Sequence, residues 1–129
     1  MNIYHITSRA AWAAAGEHGA YEPPGLASEG FVHCSTAAQV VPVANRFYAG
    51  QPGLVLLVID PRRLTSALKW EHVLDAPAAV PGEQAPAYPH IHGPINLDAV
   101  TDVLGFEPGP DGLFRVPTAI SPRARTKQG

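Results

Sequence analysis

The sequence predicts a compact α+β domain built on a mixed, mostly antiparallel sheet with two main helices. Three observations lead there. An alternating segment near the N-terminus runs straight into an alanine-rich one. A six-residue run, Leu54–Ile59, is apolar on both faces. Beyond it come short strand-like runs, separated by the turn-formers of a chain with 14 prolines and 12 glycines.

The elements follow in order. Residues 2–7 read as a first strand, with Ile3, His5 and Thr7 on one face and Tyr4 and Ile6 on the other. Ser8 is placed to cap a helix through the alanines around Trp12, which Gly16 and Gly19 end. Residues 21–30 read as a loop, because Pro23, Pro24 and Gly25 break both periodicities. Phe31, Val32, His33 and Cys34 form a short strand. Thr36-Ala37-Ala38-Gln39 matches a capping box, so a second helix is expected from there to Tyr48, kinked or restarted by Pro42.

Leu54–Ile59 fits a central strand covered on both sides. Residues 67–73 alternate, with Leu68, Trp70 and His72 opposite Lys69, Glu71 and Val73. Residues 77–87 read as a flexible loop, and residues 88–92 as a strand ended by Gly93-Pro94. A helical turn is expected over residues 96–100. Residues 103–106 and 113–116 are expected to pair across the loop between them.

A length of 129 residues suits one domain, placed at residues 1–117, with a disordered basic tail at 118–129. Cys34 is the single cysteine, so no internal disulfide forms. The N-terminus carries no leader-like pattern, and no apolar run is long enough for a membrane helix. A cytoplasmic protein is expected. Arg123, Arg125 and Lys127 crowd the tail, leaving six basic against eleven acidic residues in the body, a net of −5. Such a body is a poor general binder of nucleic-acid backbones, although an RNA phosphate end stays open as a ligand. The expected partner is a small molecule, and the expected state a monomer or weak dimer.

The chemistry-bearing residues are mostly histidines. His5 stands on the first strand beside Thr7. His33 precedes Ser35 and Thr36 at a strand-to-helix junction, where backbone N–H groups suit an anion. His90 and His92 share one strand face, as acid and base or as metal ligands. No third ligand has diagnostic spacing, so no metal is expected. Glu29 and Glu71 are the candidate acids, and Cys34 is a weaker candidate nucleophile. No G-x-G-x-x-G, Walker loop, G-x-S-x-G or H-E-x-x-H occurs, which removes the simplest dinucleotide-fold, NTPase, α/β-hydrolase and zincin readings.

Several motifs agree in order and spacing with one bacterial family. They are Ile3-Tyr4-His5-Ile6-Thr7, Trp12, Glu29 through Thr36, Gln39, Ala44 through Tyr48, Trp70-Glu71, and Pro89 through Asn96. Over the stretch from Ile3 to about Phe106 the chain resembles the family called domain of unknown function 952. That family looks like a compact branch of the ADP-ribosyltransferase-like fold. The resemblance implies that His5 contacts the ribose beside the nicotinamide of NAD, with Thr7 next to it. His33 and Ser35 resemble the second motif, in the His-bearing form of RNA 2′-phosphotransferases. The third motif often carries a late catalytic Glu, and here His90 and His92 stand instead.

NAD is therefore expected as a substrate or ligand. His5, His33, His90 and Glu71 are the candidate catalytic groups. Thr7, Ser35, Thr36, Arg46, His92 and Glu29 are the candidate binding groups, with Arg46 and the N–H groups near Ser35 as the pyrophosphate donors. ADP-ribosyl or phosphoryl transfer is the reaction class implied. The alternatives are a non-catalytic small-ligand module and a His-ligated metal-dependent hydrolase.

Overall fold

The computed structural model describes residues 1–72 and 86–120. The elements are β1 (Ile3–Ser8), α1 (Arg9–His18), β2 (Ala20–Tyr21), α2 (Pro24–Glu29), β3 (Val32–His33), α3 (Val40–Phe47), β4 (Leu54–Ile59), β5 (Ala67–His72), β6 (Ala87–His92), β7 (Ile95–Asn96) and β8 (Val100–Phe106), with short 3-10 turns between them. The architecture is α+β, and every described strand pair is antiparallel.

Two three-stranded sheets carry the fold, in the orders β1-β4-β8 and β3-β6-β5. The pair β2-β7 is separate. β4 is central, and all six of its residues are buried, as its two-faced apolar pattern predicts. One face, with Ile3, Val55, Leu57 and Ile59, packs against Val32, Ile91 and Ile95 of the other strands. The opposite face, with Tyr4, Ile6, Leu54, Leu56 and Val58, packs against Val40 and Ala44 of α3 and against Phe106 and Phe114. Burying a side chain of this kind is worth roughly 1.5–3 kcal/mol. Strand β1 therefore has a core on each side, and only its outer edge is left for a site.

That edge is joined to the second sheet at one isolated pair. Tyr4 and Ser35 exchange two backbone hydrogen bonds, each 2.8 Å. Within the second sheet His33 lies directly opposite His90, and His90 opposite Lys69. Period-2 alternation then puts His33, His90, His92 and Glu71 on one face, and Val32, Ile91 and Leu68 on the core-facing side.

Several expectations change. Residues 24–29 form the short helix α2 rather than loop. Pro24 takes its first position, where a missing N–H costs nothing, and Gly30 ends it at φ 85°. Gly19 ends α1 at φ 78°, while Gly16 lies inside the helix. The second main helix starts at Val40, not at Thr36. Gln39 does reach back to the Thr36 N–H (3.0 Å), but over a preceding turn. Pro42 is then in the first helical turn and needs no kink.

Residues 113–116 do not pair with β8, which pairs with β4. Instead, the Phe114 N–H donates to Asn45 Oδ1 (2.7 Å), and the Phe114 ring stacks on Phe106 at 4.7 Å. Thr118–Ile120, expected in the tail, is a 3-10 turn whose Ile120 is buried in the second core cluster. The expected loop at 77–87 and the tail beyond 120 lie largely outside the described residues. No described helix is long and apolar enough to cross a membrane.

Candidate functional site

A cavity of about 700 Å³ opens between the edge of β1 and residues 31–35, beyond the Tyr4–Ser35 pair. His5, Thr7, Glu29, His33 and Ser35 line it, all of them sequence candidates. His90, His92, Glu71, Thr36 and Arg46 do not.

His5 is the best-held side chain in the cavity wall. Its Nδ1 lies 2.6 Å from the His33 carbonyl and its Nε2 lies 2.8 Å from the Tyr21 hydroxyl. A carbonyl can only accept, so Nδ1 carries the proton. Burial lowers the His5 pKa from 6.5 to about 4, against the raising effect of the His33 carbonyl, so the ring is neutral near pH 7. The bare Nε2 then needs a donor, and Tyr21 supplies it. The Tyr21 hydroxyl also lies 2.8 Å from Thr7 Oγ1. Its one proton is committed to His5, so Thr7 donates to Tyr21. Burial pushes the Tyr21 phenol up to about 12, which keeps it a donor. The three residues form a sealed, uncharged relay.

Glu29 ends α2 and faces His33 across the cavity mouth, with Nε2 to carboxylate distances of 3.1 and 3.3 Å. Both side chains are about half exposed, 49% each, so the pair faces solvent and ligand alike. Among the described residues no Lys or Arg lines the cavity, and Glu29 is its one carboxylate. Six aromatic rings do: Tyr4, Tyr21, Phe31, Phe47, Tyr48 and Tyr88.

The proposed anion donors at the strand-to-helix junction are spent within the fold. Cys34 N–H donates to Pro89 (3.0 Å), Ser35 N–H to Tyr4 (2.8 Å) and Thr36 N–H to Gln39 (3.0 Å). Arg46 is exposed, with its guanidinium 5.7 Å from the centre of the Phe47 ring. The Cys34 thiol is buried and its pKa pushed well up by that burial, which leaves it a poor nucleophile.

The remaining candidates form a second cluster. Glu71 Oε1 lies 2.7 Å from His90 Nδ1 and 2.9 Å from His92 Nε2. One carboxylate oxygen thus accepts two N–H groups. Hydrogen bonds from His90 and then His92 hold the Glu71 carboxyl below its usual range. Burial lowers the His90 pKa, against the raising effect of Glu71. The His90 ring stacks on Phe31 at 4.2 Å and meets His33 edge-on at 5.1 Å. His90 Nε2 is buried without a hydrogen-bond partner among the described residues. No group of three His, Cys, Asp or Glu among the described residues could hold a metal ion.

Sequence reasoning missed Tyr21, Phe31, Tyr48 and Phe47 as cavity residues. Tyr21 was the most findable, as a lone aromatic held between a helix end and two prolines. Phe31 stands in the segment that resembles the second motif, where roles fall only to His33 and Ser35.

Fold and cavity together define a class: a small antiparallel α+β domain with a histidine-bearing cleft between two half-sheets. The chain belongs to the family described as Protein of unknown function (DUF952), whose model matches residues 6–103. It is similar to the crystal structure of protein CC0527 from Caulobacter crescentus, at 29% identity and a TM-score of 0.78, over 93% of this chain and 98% of that one. The crystal structure of a double mutant of CC0527 agrees, with 28% identity and a TM-score of 0.77 over the same shares. So does its solution NMR structure, at 31% identity and a TM-score of 0.70, over 87% of this chain and 90% of that one. No curated protein matches this sequence.

Proposed function

We propose that the cavity binds the nicotinamide–ribose end of NAD or a related ADP-ribose compound. The observation that carries this reading is the cavity's lining: among the described residues, six aromatic rings and one carboxylate, with no Lys or Arg. A pyrophosphate has no cationic partner among them. A flat pyridinium does, because aromatic faces and a carboxylate both attract a cation. The Tyr21 and Thr7 hydroxyl oxygens keep lone pairs for ribose hydroxyls, while the phosphates extend outward past Phe47 toward Arg46.

The resemblance to ADP-ribosyltransferase-like proteins supports the same ligand class, with His5 and His33 beside the ribose. Scission of the ribose–nicotinamide bond builds positive charge on the sugar, and a carboxylate near it stabilises that charge. Glu29 lines the cavity and Glu71 does not, so Glu29 is the residue to which this reading gives that role. Histidine NMR resonances followed during titration with NAD and with ADP-ribose test the reading. Shifts at His5 and His33, with NAD binding more tightly than ADP-ribose, are expected. Unmoved resonances at millimolar ligand end the proposal.

One observation favours a binding module over an enzyme on the same site. Both ring nitrogens of His5 are already engaged and Cys34 is held as a thiol, so neither is free to act as a nucleophile or base. Saturable NAD binding without nicotinamide release selects the module. Release that falls in Glu29→Gln selects the transferase-like enzyme.

A further inference from the structure

We propose that Tyr21 is a positioning residue that fixes the hydrogen-bonding sense of Thr7. This part of the cavity wall then takes ligand O–H or N–H groups and refuses groups that can only accept.

Three protons decide the sense. His5 Nδ1–H donates to the His33 carbonyl at 2.6 Å, and burial keeps the ring neutral near pH 7, so Nε2 holds a lone pair. Only a donor satisfies that lone pair. The Tyr21 hydroxyl therefore points its single proton at Nε2, across 2.8 Å. The Tyr21 oxygen also lies 2.8 Å from Thr7 Oγ1. With its own proton engaged it can only accept there, so the Thr7 proton is engaged as well. Reversing the Tyr21–Thr7 bond alone would turn the Tyr21 lone pairs toward Nε2. All three side chains are buried, and a buried acceptor facing an acceptor is unfavourable. The sense is thus set at one end, by the His33 carbonyl, and passed along to Thr7.

No proton in this chain is left for a ligand, while lone pairs remain on the Tyr21 and Thr7 oxygens. His5, Tyr21 and Thr7 all line the cavity. Thr7 is the last member, and its oxygen has no second hydrogen-bond partner among the described residues. A ligand atom that meets it meets lone pairs alone. A hydroxyl or an amide N–H pairs with them. A carbonyl, ether or phosphate oxygen does not. The next hydroxyl in the chain shows that this sense is particular to the relay. Ser8 also lines the cavity, but its Oγ accepts the Ala11 N–H at 3.0 Å, which leaves its own proton to donate.

The polarity is read without a ligand. Long-range proton–nitrogen NMR correlations of the His5 ring at neutral pH are expected to show a protonated Nδ1 and a bare Nε2. A protonated Nε2 overturns the polarity.

The ligand part rests on the cavity being the nicotinamide–ribose site. Its probes are nicotinamide riboside and its 2′-fluoro and 3′-fluoro analogues. In each analogue fluorine replaces one hydroxyl, nearly keeps the size and removes the donor. One of the two is expected to bind about tenfold more weakly than the riboside, the effect of one lost hydrogen bond. Thr7→Val removes the acceptor, and Tyr21→Phe returns the Thr7 proton. Both variants are expected to shrink that ratio to about threefold or less, with native amide spectra controlling for folding. A purely structural role would weaken riboside and analogue alike and leave the ratio unmoved. Equal binding of all three probes to the unaltered protein, or an unchanged ratio in either folded variant, overturns the ligand part. Riboside that shifts neither His5 nor His33 at millimolar concentration ends the proposed function and the ligand part with it, while the His5 tautomer stands by itself.

Discussion

Two histidine clusters lie on either side of the Phe31 and His33 rings, and they are organised oppositely. Both His5 ring nitrogens have a partner, and the relay through Tyr21 to Thr7 is neutral. Around His90 a carboxylate is shared by two imidazoles and one ring nitrogen has no described partner. The first arrangement spends both histidine nitrogens on the fold. The second holds some in reserve. A histidine's presence in a strand therefore says little about its use. What distinguishes the two is where the second ring nitrogen finds its partner.

The largest expected effect tests the sealed side. His5 binds its proton more weakly folded than unfolded, so the unfolded state takes up more protons in acid. Stability is fully present above about pH 6.5 and falls as pH drops toward 4, by about 3 kcal/mol in total. The lowered His90 pKa acts with the same sign. Urea midpoints measured across that window should show the fall. They should show a shallower fall in His5→Gln, and an unchanged slope there would break the distinction between the clusters.

A smaller effect is expected from Glu71→Ala, which strips the acceptor from two N–H groups, one of them on buried His90. Loss of about 2 kcal/mol in urea unfolding is expected. Glu71 raises the His90 pKa, so the variant should titrate His90 still lower, as followed by NMR. A rise instead would mean that the carboxylate is not what orients that ring. Arg46→Ala should be the mildest, within about 0.5 kcal/mol in the same assay, because its guanidinium is exposed and rests only on the ring of Phe47. Its expected signature is weaker NAD binding with unchanged nicotinamide binding.

The parts of the fold legible in the sequence were those with local signals. Alternation placed β1, β5 and β6, and two-faced apolarity placed β4 at the centre. Ser8 gave the start of α1, where it accepts the Ala11 N–H at 3.0 Å. Non-local choices misled. Pro24-Gly25 looked like loop, because proline at a first helical position and proline in a turn have the same local pattern. Leu113 and Phe114 looked like strand because they are apolar, yet Asn45, 69 residues away, takes both backbone groups of Phe114. The site divided the same way. His5 and Thr7 came from a strand face, and His33 and Ser35 from a strand-to-helix junction. The union of Glu71 with His90 and His92 depended on the β5–β6 register, which alternation alone does not set.

The Tyr4–Ser35 pair has a mechanical consequence. It joins the two sheets through backbone, and beside it the His5 ring holds the His33 carbonyl at 2.6 Å, so two adjacent links tie β1 to residues 33–35. The inner end of the cavity, next to Tyr4 and His5, is thereby clamped, while its Glu29–His33 rim consists of half-exposed side chains. A ligand would meet a fixed inner wall and a rim that solvent already reaches.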